Sequence, residues 1–166
     1  MLSQRKEEER KYRQNLILDG ALQIFKEKGI DQATMDEIAH ASGFGTATLY
    51  YYFSSKEEVF AAILERGWKT LWEGIEDSIH SDEEAEIKFL DTLYQIAGIA
   101  IKHPNLYRFL FTAPKSYPKI SESHSGWKKY QSRLYGTLQG LLSDGIKAGA
   151  FPNVKPELLM KGIGVI

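Results

Sequence analysis

The chain of 166 residues contains no cysteine, which excludes disulfides and thiolate metal sites. No apolar run approaches the roughly 20 residues that a helix needs to cross a bilayer, and the charged N-terminus shows no signal-peptide pattern. A cytoplasmic address without a membrane partner is therefore expected. The four histidines, His40, His80, His103 and His124, are scattered, and none forms the paired spacing of a metal-dependent hydrolase. A Gly-rich phosphate loop is missing as well: Gly43-Phe44-Gly45 follows no strand pattern and leads to no Lys-Ser/Thr. Several carboxylates fall in the first turns of helices, where the helix dipole favours them without any catalysis. Neither catalysis nor a cofactor nor a metal is expected. An excess of either charge is also lacking, since the formal net charge is -1, so composition alone argues neither for nor against a nucleic-acid partner.

What is present is an ordinary globular balance, 43% hydrophobic and 26% charged residues, in a chain long enough for one domain or two small ones. The stretch from Thr34 to Lys56, TMDEIAHASGFGTATLYYYFSSK, organises the rest. Thr34 with Glu37 three residues later is a capping box, in which hydroxyl and carboxylate satisfy amide hydrogens left unpaired at a helix start. The short helix that follows stops at Ser42-Gly43, where glycine suits the left-handed conformation of a helix end. Phe44 is expected to plug the space between helices, and Gly45 or Thr46 opens a second helix. Ser55 and Glu58 form a second capping box and start a third. Helix, short Gly-containing turn, helix is a helix-turn-helix.

At about 100° per residue, Leu49 and Phe53 share one face of that second helix. Ala47, Thr48 and Tyr51 then lie opposite, with Thr46, Tyr50 and Tyr52 on the flanks. In a DNA major groove, small residues permit close approach, hydroxyls bond phosphate oxygens, and aromatic or methyl groups touch the thymine methyl. The alternative is that the tyrosines pack against neighbouring helices.

The run from Arg13 to Glu65 resembles the DNA-binding domain of the TetR family of bacterial transcriptional regulators. The resemblance rests on Ile17-Leu18-Asp19-Gly20-Ala21-Leu22-Gln23-Ile24-Phe25, then Gly29, Thr34, Ile38-Ala39, Gly43, Thr48-Leu49-Tyr50, Phe53 and Ser55-Lys56-Glu57-Glu58. It covers about a third of the chain. It implies an all-α protein: a three-helix DNA-binding domain at 10–65, followed by a helical effector-binding and dimerisation domain at 66–166. It further implies a DNA-binding regulator, a repressor, that binds a palindromic operator in double-stranded DNA as a homodimer and is released by a small-molecule effector. The alternative is a non-catalytic interaction or scaffold protein containing a helix-turn-helix. On the first reading Thr34, Thr48, Tyr52 and Lys56 position the DNA backbone, while Thr46, Ala47, Tyr50 and Tyr51 face base edges and Gly45 belongs to the same surface. Relatives commonly carry Ser in place of Gly45 and a longer polar group in place of Thr46, so the base sequence read is left open.

Charge runs against the usual basic footprint of a DNA-binding domain. Up to Glu58, Arg5, Lys6, Arg10, Lys11, Arg13, Lys26, Lys28 and Lys56 face a slightly larger set of acids. Its cations must be segregated onto one side, with a modest salt dependence and two linked heads. Residues Met1 to Glu9 read as a frayed, solvated tail, with an arm that reaches DNA as the alternative, and the first long helix as Lys11 to Lys28, ended by Gly29. Gly20 within that helix costs about 1 kcal/mol against Ala, which points to close helix packing. Phe25, Ile38, Phe44, Leu49 and Phe53 are the expected core.

Beyond Lys56 the helical rhythm continues through Trp68, Trp72 and Ile75, linking the two halves. Ser81 to Glu84 reads as a further capping box, opening a helix with Ile87, Leu90, Leu93, Tyr94 and Ala97 on its apolar face. Pro104 suits the first position of the next helix, which Pro114 closes before a loop to Gly126. A longer helix runs from Trp127 to about Ala148, and Pro156 starts a last one whose apolar pattern is expected to continue past Ile166. By resemblance, Leu134, Leu138, Leu141, Leu142 and residues 158–166 are dimer-interface candidates; internal core is the other reading. Trp68, Trp72, Tyr94, Tyr107, Phe109, Phe111, Trp127 and Tyr130 supply apolar surface for an effector site, or are plain core.

Overall fold

The computed structural model describes residues 2–112 and 125–158. Within them the secondary structure is helical: α1 Leu2–Gln32, α2 Met35–Ala41, α3 Thr46–Tyr52, α4 Lys56–Ile79, α5 Ala85–Lys102, α6 Pro104–Thr112 and α7 Trp127–Lys147. Two compact units result. The first takes the chain up to Glu65 together with α6 from Asn105, and the second takes Arg66–Pro104 and the described residues from Gly126.

In the first unit, α1 buries Ile17, Leu18, Ala21, Leu22, Ile24 and Phe25, the i, i+3, i+4 face that the sequence periodicity places inward. Gly29 breaks the helix at φ 76 and ψ 167, a conformation that costs glycine little, before Ile30 turns back into the core. The start differs from the expectation: residues 2–10 are helical rather than frayed. Their helix is supported by charge pairing along its surface, since Arg13 binds the Glu9 carboxylate at 2.7 Å one turn away.

The capping box at Thr34 is present in both directions: Glu37 N–H donates to Thr34 Oγ1 at 3.3 Å and Thr34 N–H donates to Glu37 Oε2 at 3.1 Å. At the other end of α2, Gly43 adopts φ 73. Gly43 N–H donates to the His40 carbonyl and Phe44 N–H to the Ala39 carbonyl, the two bonds of a Schellman ending. That ending is the turn of the helix-turn-helix. It sends the chain through Phe44, which is half-buried, into Gly45, whose extended backbone opens α3. Leu49 and Phe53 are buried beneath α3, as expected of its inner face; each such side chain stabilises the unit by about 1.5–3 kcal/mol.

The second capping box is only half realised. Glu58 N–H donates to Ser55 Oγ at 3.2 Å, but the Glu58 carboxylate reaches back to Ser54, accepting from its N–H and its hydroxyl. Ser81 with Glu84 forms none: α5 starts after Glu84 without a side-chain cap, and the Ser81 hydroxyl donates to the Ser78 carbonyl behind it. Helix α4 buries Val59, Phe60 and Ile63 in the first unit and Trp68, Leu71 and Ile75 in the second, so one continuous helix contributes to both cores. Helix α6 closes the first unit: Phe109 stacks on Phe25 with ring centroids 6.1 Å apart and meets Phe60 edge-on at 5.4 Å. Lys26 adds a hydrogen bond to Asn105 at 3.1 Å.

In the second unit α5 packs on α7. Phe89 and Thr92 point inward from α5, and Leu134, Leu138 and Leu142 from α7. The three leucines are thus core within a single chain, which corrects their candidacy as an interface; Leu141 is half-buried, Leu158 is exposed, and 159–166 lie outside the described residues. Helix α7 ends in a second Schellman pair at Gly149, φ 79, with Gly149 N–H on the Ile146 carbonyl and Ala150 N–H on that of Gly145. Helix α6 begins at Pro104, and Pro114 with the loop to His124 lies outside the described residues. The apolar face of α5 is oriented differently from the expectation. Ile87, Leu90, Tyr94 and Ile101, spaced by three, four and seven, are exposed, Tyr94 at 82%.

Candidate nucleic-acid interface

Helix α3 presents what its inner anchors leave over. With Leu49 at 0% exposure holding one face, Tyr50 is 53% and Tyr51 73% exposed. Ala47 and Gly45 are exposed too, while Thr46 and Tyr52 on the flanks are half-buried, as is Thr48, which the helix period places on the outer face. The tyrosines therefore do not pack away among helices. Tyr51 meets Tyr52 edge-on with centroids 5.0 Å apart, which orients both rings. A strip of methyl, hydroxyl and phenol groups on a short helix, with no charge on it, is brought to one surface.

Around that strip the partners are polar. Thr46 Oγ1 donates to Asp36 Oδ1 at 2.7 Å, a link between α2 and α3 that sequence periodicity does not reveal. Thr34 is exposed; its oxygen caps α2 and its hydroxyl hydrogen is left to donate outward. Lys56 is half-buried, and its ammonium donates to the carbonyls of Asp31 at 2.7 Å and Ala33 at 3.0 Å. It thus pins the start of α4 to the α1–α2 connection and retains one donor of its three for an outside acceptor. The Glu37 carboxyl is held below the usual carboxylate range, first by the Lys28 ammonium and then by the Thr34 backbone.

Beside Tyr51 and Tyr52 lies an open cleft of about 640 Å³ whose other wall is the start of α1, with Lys6, Arg10 and Arg13 among its residues. Three of this unit's cations, Lys6, Arg10 and Arg13, are accordingly gathered near α3. From sequence these cations are counted without being assigned to the site; the available signal is the three- and four-residue spacing of Lys6, Arg10 and Arg13.

The eight aromatic residues proposed for an effector site are divided between the two units. Tyr107 and Phe109 belong to the unit of the reading helix, buried and half-buried, and Phe111 stands 51% exposed on the same α6. In the second unit Tyr94 faces solvent, whereas Trp68 is buried, edge-on to Tyr135 at 5.6 Å. Trp72 is half-buried under the Arg133 guanidinium at 5.4 Å and donates its indole N–H to Glu76 at 2.8 Å. Trp127 and Tyr130 are half-buried on α7. The indole nitrogen of Trp127 and the hydroxyl of the fully buried Thr92 have no hydrogen-bond partner among the described residues. No cluster of His, Asp and Glu able to hold a metal occurs among the described residues, and no helix there is long and apolar enough to cross a membrane.

Comparison with known proteins places this geometry. The family profile of the bacterial regulatory proteins of the tetR family matches residues 17–63, the span from α1 through α3 into α4. IcaR, the negative transcriptional regulator of the biofilm operon icaADBC in Staphylococcus aureus, is 28% identical over 126 residues, 75% of this chain. The chain spans only 61% of that relative's length. The HTH-type transcriptional regulator YfiR of Bacillus subtilis is 31% identical over 151 residues, 87% of this chain and 70% of YfiR. The crystal structure of PfmR, a TetR family regulator from Thermus thermophilus, superposes with a TM-score of 0.74 at 23% identity, over 89% of this chain and 79% of PfmR. On the strength of the reading head and of a relative shared over most of both lengths, the chain belongs to the tetR family of bacterial regulatory proteins, which are DNA-binding regulators and not enzymes.

Proposed function

We propose that this chain is a repressor that acts in the cytoplasm, binds a palindromic operator as a homodimer, and is released by a small-molecule effector. The observation that carries the reading is the exposure of Ala47, Tyr50 and Tyr51 on a helix whose opposite face is sealed by Leu49 and Phe53. Ala47, Thr46, Tyr50 and Tyr51 contact base edges, with Gly45 allowing close approach; Thr34, Thr48, Tyr52 and the remaining donor of Lys56 fix the backbone. A negative regulator of transcription among the relatives supports repression.

A single head without charge on its reading helix binds weakly, so two heads set about 34–36 Å apart by two-fold symmetry are required. The exposed apolar face of α5 supports self-association, because a helix face of Ile87, Leu90, Tyr94 and Ile101 is stabilised by burial against another helix. Trp68, Trp72, Tyr94, Tyr107, Phe109, Phe111, Trp127 and Tyr130 remain the effector candidates, and the partnerless polar atoms of Thr92 and Trp127 are donors and acceptors a ligand can satisfy. Helix α4, shared by both cores, is the route by which an effector alters the reading head. Release requires the effector to bind the DNA-free form more tightly than the bound one.

Selection of duplexes from a random pool, followed by footprinting, tests the reading. A protected palindrome is expected, and Tyr50→Ala loses operator affinity by about 10-fold or more, as for loss of a base contact worth about 1–3 kcal/mol in each head, while its melting curve and its oligomeric state stay unchanged. Protection of no sequence by the intact protein leaves the scaffold reading in its place.

A further inference from the structure

The start of α1 carries a basic stripe that the helix-turn-helix does not account for. Ser3, Lys6, Arg10 and Arg13 are spaced by three, four and three residues. At about 100° per residue they fall within a sector of about 80° on one helix face. They share a cleft with Tyr51 and Tyr52 of α3, so the stripe adjoins the reading helix. Acids also reach the cleft, and they define which cations are available. Glu9 is paired with Arg13 at 2.7 Å, and Glu7 lies on the cleft wall. Lys6 and Arg10 make no ion pair or hydrogen bond among the described residues, and both are exposed. Two long cations without internal partners, sharing a cleft with the phenol rings of Tyr51 and Tyr52, are complementary to a polyanion that continues past α3.

We infer that the N-terminal turns of α1 are a second DNA contact, in which Lys6 and Arg10, with Arg13 beside them, bind backbone phosphates of the duplex whose base edges α3 reads. The inference rests on the operator reading above and extends it. It explains how a slightly acidic unit holds DNA: three of its cations, Lys6, Arg10 and Arg13, share one helix face next to α3, and Glu9 there is already paired with Arg13. From Ser3 to Arg13 the stripe is about 15 Å long at about 1.5 Å per residue, which matches the rise of about four nucleotides of one strand at about 3.4 Å each. Such contacts are independent of sequence. They increase affinity for every duplex by the same factor and leave discrimination to α3.

The test is the salt dependence of binding of the full chain to two duplexes, a selected operator and an unrelated duplex of equal length. Each phosphate contact contributes about 0.9 to the slope of log K against log salt, or about fivefold in affinity at about 0.15 M salt. The double variant Lys6→Ala/Arg10→Ala is expected to lower the slope by about 1.8 per bound head and to weaken both duplexes by about 25-fold per head. Lys11→Ala is the control. It removes the same charge from the same helix at a position about 100° or more from Lys6, Arg10 and Arg13, and it leaves slope and affinity close to those of the parent. All these side chains are exposed, so melting curves coincide and a folding defect is detected separately. An unchanged slope in the double variant, with operator binding intact in the parent, overturns this inference alone. An equal loss in Lys11→Ala also overturns it, because net charge and not the stripe is then responsible. Failure of the parent to bind any duplex overturns both this inference and the operator reading.

Discussion

Replacing Gly20 with alanine should destabilise the reading head, although the same change in an unobstructed helix is stabilising. Gly20 lies inside α1 and is buried. Helix propensity alone favours the substitution by about 1 kcal/mol. Against that, a Cβ at this position stands 2.4 Å from Ser42 Oγ, 2.8 Å from Ser42 N and 3.0 Å from the Ala41 carbonyl carbon. Two of those three atoms are backbone of the end of α2, so a rotamer change cannot relieve the overlap and α2 itself must move. Overpacking of this kind costs about 1–3 kcal/mol. The Ser42 hydroxyl, which donates to the Ile38 carbonyl at 2.5 Å, is displaced as well, at about 1 kcal/mol. The net expectation is a loss of about 1–3 kcal/mol and a melting temperature lower by several degrees, at about 2–4 °C per kcal/mol for a chain of this size. Because the displaced residues lead directly into the turn and α3, operator affinity falls too. Thermal melts by far-ultraviolet circular dichroism check the prediction against Gly136→Ala, in α7, where a Cβ meets nothing within 4 Å. That control is expected to gain about 0.4–1 kcal/mol. A Gly20→Ala protein melting at or above the parent temperature refutes the reasoning, since α2 would then be free to shift at no cost.

Two further outcomes follow from the polar groups around α3. Pairing with Lys28 holds the Glu37 carboxyl below the usual carboxylate range, so its contribution to stability is present above that range and is lost as pH falls through the lowered value. Glu37→Gln should therefore flatten the acid limb of a plot of melting temperature against pH, and limbs of equal slope would remove Glu37 from the account. Asp36→Asn keeps an acceptor for Thr46 and removes a negative charge from the edge of the interface; at about 8 Å in water that charge repels a phosphate by about 0.5 kcal/mol. DNA binding at low salt should tighten about twofold per head, and identical titrations of the two proteins would contradict it.

The helix-turn-helix was legible because its signals are local. Thr34 with Glu37 and the glycine at 43 each fix a helix end within four residues, and the structure shows both. Gly20 was legible for a different reason, as a costly residue tolerated only where backbones approach. Elsewhere the information is tertiary. The Ser81–Glu84 pattern has the letters of a cap, yet the Ser81 hydroxyl turns back to the end of α4, and nothing in four residues of sequence decides between the two. The position of α6 follows from Phe109 finding Phe25 and Phe60, residues far away in the chain. On α5, Phe89 and Leu90 are both apolar neighbours, and only tertiary packing, against α7 and the ring of Phe151 beyond it, determines that Phe89 is buried while Leu90 is exposed. At the N-terminus, mixed charge suggested solvation and concealed a helix on which Lys6, Arg10 and Arg13 share a face.

The division of the chain also fixes what light can report. All three tryptophans, Trp68, Trp72 and Trp127, lie in the second unit, and the helix-turn-helix contains only tyrosines as its polar aromatics. Indole emission excited at the red edge is therefore blind to a duplex touching Tyr50 or Tyr51 directly. Any change in that emission on adding operator has to have travelled along the chain, and Trp68, buried on α4 a few residues beyond Glu65, is the first indole it would meet. The unaltered protein is thus its own sensor of communication between the helix-turn-helix and the second unit, without an attached dye.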